Sequence, residues 1–165
     1  MDTRSNYLES VKKQFNQYKS LAEKAMDQID QDMLFFSPNN DSNSIATIVK
    51  HMHGNMISRW TDFLTTDGEK LWRKRDDEFE QEKTDKKAIL ILWEEGWGCF
   101  FKAINSLKAE QLSETIFIRG EAHSVMEAIN RQLAHYSYHV GQIVFAAKQL
   151  KSEEWSSLSI PRRKK

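Results

Sequence analysis

One stripe of apolar side chains constrains the fold more than any other feature of the chain. It follows Thr84-Asp85 and advances in steps of three and four residues, through Leu90, Trp93, Trp97, Phe100, Ile104 and Leu107. Such steps place side chains along one face of an α-helix, and the spacing here is close to a heptad. Asp85 is a good N-terminal cap for that helix. The sequence therefore predicts a long helix that buries one face against other elements.

Three further stripes predict three more long helices, so that the stripe above is predicted helix three. Helix one occupies residues 7–29 and fades after residue 32, because Pro38 disfavours helical geometry at the residue before it. Helix two begins within residues 42–44, among capping residues, and ends near Asp67-Gly68. Helix four follows Ser124 and Glu127, which are typical of a capping box, and extends to residue 150.

The connections between these helices indicate the topology. Residues 67–87 carry many charges of both signs and few apolar anchors, which is typical of a loop or crossover. Residues 114–122 contain Ile116 and Ile118 in alternation before Arg119-Gly120, which predicts a short extended piece and a turn. The short connections permit antiparallel neighbours, whereas the crossover of roughly twenty residues is long enough for helices two and three to run parallel.

These elements predict an all-α fold, a four-helix bundle with a long crossover between helices two and three. Four helices of roughly twenty residues, each about 30 Å long, can bury one shared core. A chain of 165 residues, of which 39% are hydrophobic, is the size of a single domain. We therefore expect one domain over residues 1–165, in which residues 152–165 form a tail.

Charge and cysteine content narrow the partners and the compartment. Lysine plus arginine and aspartate plus glutamate number 24 each, so no global charge favours nucleic acid or an anionic membrane. The four basic residues at 162–165 are too short a cluster to change that expectation. A single cysteine, a polar amino terminus and a longest apolar run of residues 88–93 predict a cytoplasmic protein without a membrane span.

Two of the five histidines, His135 and His139, are four residues apart on predicted helix four and share a face. An isolated pair of this spacing is more often two core-edge histidines that hydrogen-bond to neighbours than a metal site. A third ligand would reverse that judgement, and either His51 or His53 on predicted helix two could supply it across the bundle. Three neutral nitrogen ligands would bind a divalent metal and leave a position open for chemistry.

The chain resembles the DinB/YfiT-like metalloenzymes over nearly its whole length. The resemblance rests on a histidine midway along predicted helix two, a His-x-x-x-His on helix four, and the stretches NSIATIVKHMHGNMISRWTDFLTTDGEK and HSVMEAINRQLAHYSYHVGQIV. It is closest to a branch of unknown function. The resemblance implies a DinB-type bundle with two parallel central helices, which holds a divalent metal, usually zinc or nickel, through one histidine of helix two and the histidine pair of helix four. By matching positions, the implied metal ligands are His51, His135 and His139.

Periodicity and resemblance disagree about the ligand on predicted helix two. On a helical wheel His53 is about 80° from the centre of the apolar stripe and His51 about 120° on its other side, which mildly favours His53. The resemblance instead places the ligand directly after Val49-Lys50, at His51. We adopt His51 and expect His53 beside the site or at the surface. His51 also shares its side of the helix with residues suited to a solvated cavity, namely Ser44, Asn55, Ser58 and Asp62.

Other kinds of site fit the sequence less well. No glutamate has a histidine three residues later, as carboxylate di-iron bundles require, and Tyr136 follows His135 where an HExxH protease needs glutamate. Cys99 lies about 120° from the centre of its apolar stripe and is expected to be a half-buried filler, not a nucleophile. Arg59 could hold a substrate carboxylate or phosphate in its guanidinium fork, or pair with an acidic neighbour.

The resemblance also implies a reaction. Characterised relatives transfer low-molecular-weight thiols such as bacillithiol or mycothiol, so the metal would lower the pKa of a bound thiol and present it to an electrophile. The same open site could lower the pKa of water and run a hydrolysis. The alternative is a non-catalytic stress or interaction protein whose histidines bind metal for stability or bind none. We expect a homodimer that takes a small-molecule substrate, with no side chain assigned to catalysis.

Overall fold

The computed structural model describes residues 2–80 and 84–161, and within these ranges the chain is mostly helical. They contain five α-helices: α1 Thr3–Met26, α2 Gln31–Phe35, α3 Ile45–Trp60, α4 Lys86–Ser106 and α5 Val125–Lys151. Two short antiparallel strands, β1 Thr115–Ile118 and β2 Glu121–Ser124, form a hairpin between α4 and α5. The predicted helical class is confirmed at this level, and the predicted extended piece is the hairpin.

Three predicted helix starts are confirmed by the hydrogen bonds that cap them. The side chains of Ser44 and Asp85 each accept from the backbone N–H three residues later, at 3.1 and 2.8 Å. At the start of α5, Ser124 and Glu127 form the predicted capping box, in which each side chain accepts from the backbone N–H of the other. These contacts satisfy N–H groups that have no partner inside the helix.

Two predicted helix ends are wrong. α3 stops at Trp60 instead of continuing towards residue 68, because the next residue, Thr61, is extended with a ψ of 120°. Asp62 then has a φ of 47°, and its carbonyl accepts from two N–H groups of the following turn. α1 stops at Met26, where the prediction had one helix to residue 32. The side chain of Asp30 caps the separate α2 by accepting from the backbone three residues later at 2.9 Å.

α3 and α4 run parallel, as the length of the crossover permitted. The Nε2 atom of His53 on α3 lies 3.5 Å from a carboxylate oxygen of Glu95 on α4. Directly after the end of α3, the Thr61 Oγ1 lies 3.7 Å from the sulfur of Cys99, which is further along α4. Residue numbers therefore rise together along the two helices. The pair approaches closely because Gly96 has no side chain: a Cβ there would lie 3.1 Å from the His53 Cα.

α5 runs antiparallel to α3. The ring centroids of His51 and His139 are 5.0 Å apart, and one turn further along α3 the Tyr136 hydroxyl donates to Asn55 at 3.2 Å. Residue numbers therefore fall along α5 as they rise along α3. This arrangement sets the histidines of the two helices against each other.

An aromatic cluster fills the core among the four long helices. Its members are almost fully buried and pack largely edge to face: Phe15, Trp60, Trp97, Phe100 and Tyr136. Edge-to-face contacts of this kind add to the gain from burying apolar surface. The cluster also holds α3 against α5, because the Trp60 Nε1–H donates to the Tyr136 hydroxyl at 3.1 Å.

The hairpin holds the start of the crossover. Gly68 donates its N–H to the Phe117 carbonyl at 2.8 Å, and the Asp67 carboxylate accepts from the N–H groups of Arg119 and Gly120 at 2.9 and 2.7 Å. Arg119 and Gly120 form the predicted turn, and both have positive φ. From this fixed point the crossover returns along α3, where its 3₁₀ turn Asp76–Phe79 packs.

Part of the predicted tail is held against the connection between α1 and α2. The Gln28 amide exchanges two hydrogen bonds with the backbone of Ser156, at 3.0 and 2.7 Å. The predicted basic cluster at residues 162–165 lies outside the described residues. Within the described ranges, no helix combines the length and apolar character that crossing a bilayer requires.

Candidate metal centre

Three histidine side chains converge where α3 passes α5. The Nε2 atom of His135 lies 3.3 Å from that of His51 and 3.0 Å from that of His139. One ring nitrogen of each residue falls within 4.8 Å of the other two. His51 and His139 are buried, and His135 is half-buried. The structure thus groups the three histidines that the resemblance implied as ligands.

Side-chain oxygens hold the outer nitrogens of two of these rings. His51 donates from Nδ1 to Glu78 Oε2 at 3.0 Å, and His139 donates from Nδ1 to Gln142 Oε1 at 2.9 Å. A neutral imidazole with its proton on Nδ1 carries a lone pair on Nε2. Both lone pairs therefore point into the space that the three rings share.

Burial keeps two members of the histidine cluster, His135 and His139, uncharged. Desolvation, followed by the nearby His139 and His51, lowers the pKa of His135 to about 3. Desolvation also lowers the pKa of His139 to about 4, even though the hydrogen bond to Gln142 opposes the shift. At neutral pH both rings are therefore in the form that can coordinate a metal ion.

This donor set fits a divalent metal ion. Imidazoles around tetrahedral zinc have ligand atoms about 3.3 Å apart, and the two Nε2 separations in the cluster are 3.3 and 3.0 Å. Lone pairs that face one another repel unless a proton or a cation lies between them. Three imidazoles also leave a fourth position for water or substrate, whereas structural zinc sites use four protein ligands.

Glu78 reaches the cluster from the crossover. Besides the bond from His51, its carboxylate accepts from Nε and Nη2 of Arg73, at 2.8 and 3.0 Å. Burial disfavours the charged carboxylate, but the hydrogen bonds from His51 and Arg73 outweigh burial and lower the pKa of Glu78. Gly54 on α3 makes room for this carboxylate, because a Cβ at that position would overlap Glu78 Oε1. Glu78 is therefore an anion that fixes the orientation of His51.

A cavity of about 370 Å³ opens beside the cluster between α3 and α5. His51 and His135 form part of its wall, together with the amide side chains of Asn55 and Gln132. The rest of the described lining consists of arginines: Arg59, Arg73, Arg75, Arg119 and Arg131. Among the described residues that line the cavity, none is acidic. The histidine cluster thus borders a strongly positive space.

The remaining residues noted in the sequence lie elsewhere or differ from expectation. His53 faces Glu95 on α4, so of the two alternatives on this helix it is His51 that joins the cluster. Cys99 is half-buried, with its thiol donating to a backbone carbonyl of α3, as expected of a filler. Arg59 makes no close pair with an acid in the described chain: the Glu69 carboxylate lies 3.9 Å from its Nη2.

Sequence reasoning missed Glu78, Arg73, Gln132 and Gln142. Gln142 follows His139 by three residues, so helical spacing could have indicated it. Gln132 precedes His135 by three residues, so the same spacing could have indicated it. Glu78 and Arg73 lie in the charged crossover, where no periodicity fixes the direction of a side chain. Only the packing of the 3₁₀ turn on α3 brings them to the cluster.

Comparison with known proteins identifies a family. The model of a family described as a protein of unknown function, DUF1572, matches residues 2–164. No curated protein matches the chain, and no solved structure does. The histidine cluster and its cavity therefore guide the assignment of function.

Proposed function

The chain belongs to the DUF1572 family, and we propose that it is a divalent-metal-dependent enzyme of the DinB/YfiT-like type. The observation that carries this proposal is the convergence of three histidine Nε2 atoms at the wall of a polar cavity. The arrangement of the helices supports it, since the crossover joins the parallel helices α3 and α4 in the way that the resemblance implies for a DinB-type four-helix bundle. Imidazole ligands suit zinc, copper, iron and nickel, and of these the resemblance favours zinc and nickel.

In this proposal each residue of the cluster has a defined task. His51, His135 and His139 hold the ion through Nε2, while Glu78 and Gln142 fix the tautomer and orientation of two rings. A carboxylate that accepts from a ligand histidine also makes the ring a better donor to metal. A divalent ion bound there supplies positive charge that lowers the pKa of a thiol or a water molecule beside it.

We propose transfer of a low-molecular-weight thiol to an electrophile as the reaction. The thiol loses its proton to solvent, its sulfur forms a bond to an electrophilic carbon, and the leaving group departs with its electron pair. The resemblance supports this reaction, and the cavity has the volume of a small-molecule site. Hydrolysis is the competing reaction, because water can take the place of the thiol.

The first experiment is elemental analysis of purified, tag-free protein after incubation with zinc and with nickel. We expect about one divalent ion per chain in the wild type, and none in a variant with both His135→Ala and His139→Ala. His53→Ala is the matched control, because this histidine lies on α3 outside the cluster and its variant should keep the ion. Circular dichroism checks that all three proteins keep their helices.

Turnover separates the enzyme from a non-catalytic protein. The loaded wild type should accelerate thiol transfer to an electrophile such as a haloalkane, and the double histidine variant should lose the acceleration together with the ion. Activity that persists without metal would refute the metal-dependent enzyme. Metal that raises the melting temperature, with no turnover of thiols or of hydrolysable esters, would favour the non-catalytic alternative.

A further inference from the structure

We propose that the arginine-lined cavity binds a small acid with at least two negative charges, held at one end by Arg59 and Arg131. The inference rests on the proposed function only for its reacting end, which would face His51 and His135. It names the substrate class of that site: a molecule whose anionic group is a dicarboxylate or a phosphate. The argument depends on the burial of Arg59, the charges around it and the geometry of α3 and α5.

Arg59 is a buried cation without an adequate partner. Its side chain is 4% exposed, and its Nε and Nη1 atoms make no hydrogen bond within the described residues. A guanidinium keeps its charge in a protein, so burying it without hydrogen bonds is unfavourable. The same wall holds Gln132, which is 1% exposed and whose Oε1 also has no partner there. Both side chains line the cavity, so a ligand in the cavity can reach them.

The charges around Arg59 make the cavity attractive to an anion. Burial, together with the positive charges of Arg131 and Arg119, lowers the pKa of Arg59, while Glu69 opposes the shift. Glu69 is shared, because it accepts from Arg119 at 3.1 Å and lies 3.9 Å from Arg59. Arg73 is already neutralised by Glu78. Positive charge without a close acidic partner therefore lies at the Arg59 end of the cavity.

Helix geometry gives the ligand its length and direction. His51, Asn55 and Arg59 are four residues apart on α3 and form one row, which spans about 12 Å along the helix axis. On α5, Arg131 and Gln132 lie about one turn before His135. Because α5 is antiparallel to α3, Arg131 lies at the same end of the cavity as Arg59, and His135 lies at the same end as His51. A ligand whose acidic group sits on the arginines thus places its other end at the cluster.

The position of the Arg59 guanidinium is fixed by backbone. A Cβ at Gly68 would lie 2.8 Å from Arg59 Nη1 and 2.9 Å from its Cδ, so the arginine lies directly against this glycine. Gly68 is itself held, since its carbonyl accepts from Ser58 and its N–H donates to Phe117. A fork that is held in place loses little freedom when it binds a carboxylate or phosphate in bidentate fashion.

The test is calorimetric titration of metal-free protein with succinate, inorganic phosphate and acetate in a buffer without other multivalent anions. We expect saturable binding of succinate or phosphate and much weaker binding of acetate. Arg59→Gln should weaken that binding at least about tenfold, and Arg131→Gln, at an exposed position, should weaken it without altering the fold. Arg4→Gln, an exposed arginine on α1, is the matched control and should bind as the wild type does.

The outcomes separate this inference from the metal. The titration uses metal-free protein, so a failure to find metal in the incubated protein leaves the anion site standing. Preference for succinate identifies a carboxylic acid, and preference for phosphate identifies a phosphate ester. If neither dianion binds metal-free or metal-loaded protein, or if both arginine variants bind normally, the inference is wrong.

Discussion

The aromatic cluster and the cavity lie next to each other along α5, and they differ in how they treat buried polar atoms. At the edge of the aromatic cluster, Trp60 donates to Tyr136 and Tyr136 donates to Asn55, so that three polar groups form one chain. Trp97 Nε1 is an exception, because it is buried there without a partner in the described chain. This part of the molecule buries large rings and leaves little space.

In the cavity the balance is reversed. Three polar atoms of Arg59 and Gln132 are buried without a partner among the described residues. In the histidine cluster, the Nε2 lone pairs of neighbouring rings face one another. On α5 the two regions meet at consecutive residues, because His135 lies in the cavity wall and Tyr136 lies in the aromatic cluster. Buried polar atoms without partners destabilise a fold, and proteins retain them mainly at functional sites. The contrast assigns the aromatic cluster to the stability of the fold, and it supports the proposal that the cavity binds a ligand.

The largest effect should come from the aromatic cluster. Phe100→Ala removes a fully buried ring that touches Phe15, Trp60 and Tyr136, and we expect the free energy of unfolding to fall by about 3–5 kcal/mol. Urea denaturation measures the loss. The comparison predicts that metal binding per folded chain stays unchanged, so a variant that folds but loses the ion would show that the two regions are not separable.

Acidification should destabilise the metal-free protein through two residues of the histidine cluster. His135 and His139 have folded pKa values of about 3 and 4 against about 6.5 when unfolded, so between pH 6.5 and 4 the unfolded chain binds protons that the folded chain does not. Stability of the metal-free protein therefore falls as pH falls through this window. Allowing for partial solvation, we expect about 2 kcal/mol between pH 6.5 and 5. A variant with both residues changed to Gln should lose this part of the pH dependence, and an unchanged slope would contradict the assignment.

Gly54→Ala tests whether Glu78 positions the cluster. The added methyl group must displace the Glu78 carboxylate from His51, and we expect metal affinity to fall about tenfold with the fold intact. Competition with a chromogenic chelator measures the affinity. Gly98→Ala is the matched control on α4, since a Cβ there meets nothing within 4 Å. Equal affinities for the two variants would mean that Glu78 does not orient His51.

The smallest effect should be a gain. Arg59→Met replaces an unpaired buried charge by an apolar chain of similar length, and we expect the free energy of unfolding to rise by about 1 kcal/mol in buffer without multivalent anions. Addition of a dianion should then narrow or reverse the difference in the free energy of unfolding between the variant and the wild type, because only the wild type is stabilised by binding it. A loss of stability in plain buffer would show that Arg59 belongs with the structural region.

The sequence predicted those features that depend on residues a few positions apart in the chain. Ser44, Asp85 and Ser124 cap their helices through contacts within three residues, and the spacing of His135 and His139 alone placed them on one face. The helical wheel misjudged His51, because it measures distance from an apolar stripe whereas this histidine faces a polar cavity. Glu78 could not be found, since its position depends on how a long crossover packs.

The predicted end of α3 was wrong for a related reason. The apolar stripe continues past Trp60 to Phe63, which is also buried, so the stripe itself gives no stop. The stop comes from the backbone of Thr61, which is extended, and of Asp62, which is left-handed. Asp adopts the left-handed conformation more readily than most residues, but its presence does not require it. Apolar periodicity reports which side chains are buried and not where the helical backbone ends.

The order of the site residues along the chain has a consequence for biosynthesis. The centre joins His51 on α3, Glu78 in the crossover and His135, His139 and Gln142 on α5, so its contacts span 27 and 84 residues of sequence. A nascent chain that has emerged only as far as α4 contains one histidine of the three. Under the proposed function, the ribosome must therefore synthesise the chain beyond His139 before the three proposed ligands can meet, and metal binding follows the assembly of α5 on α3.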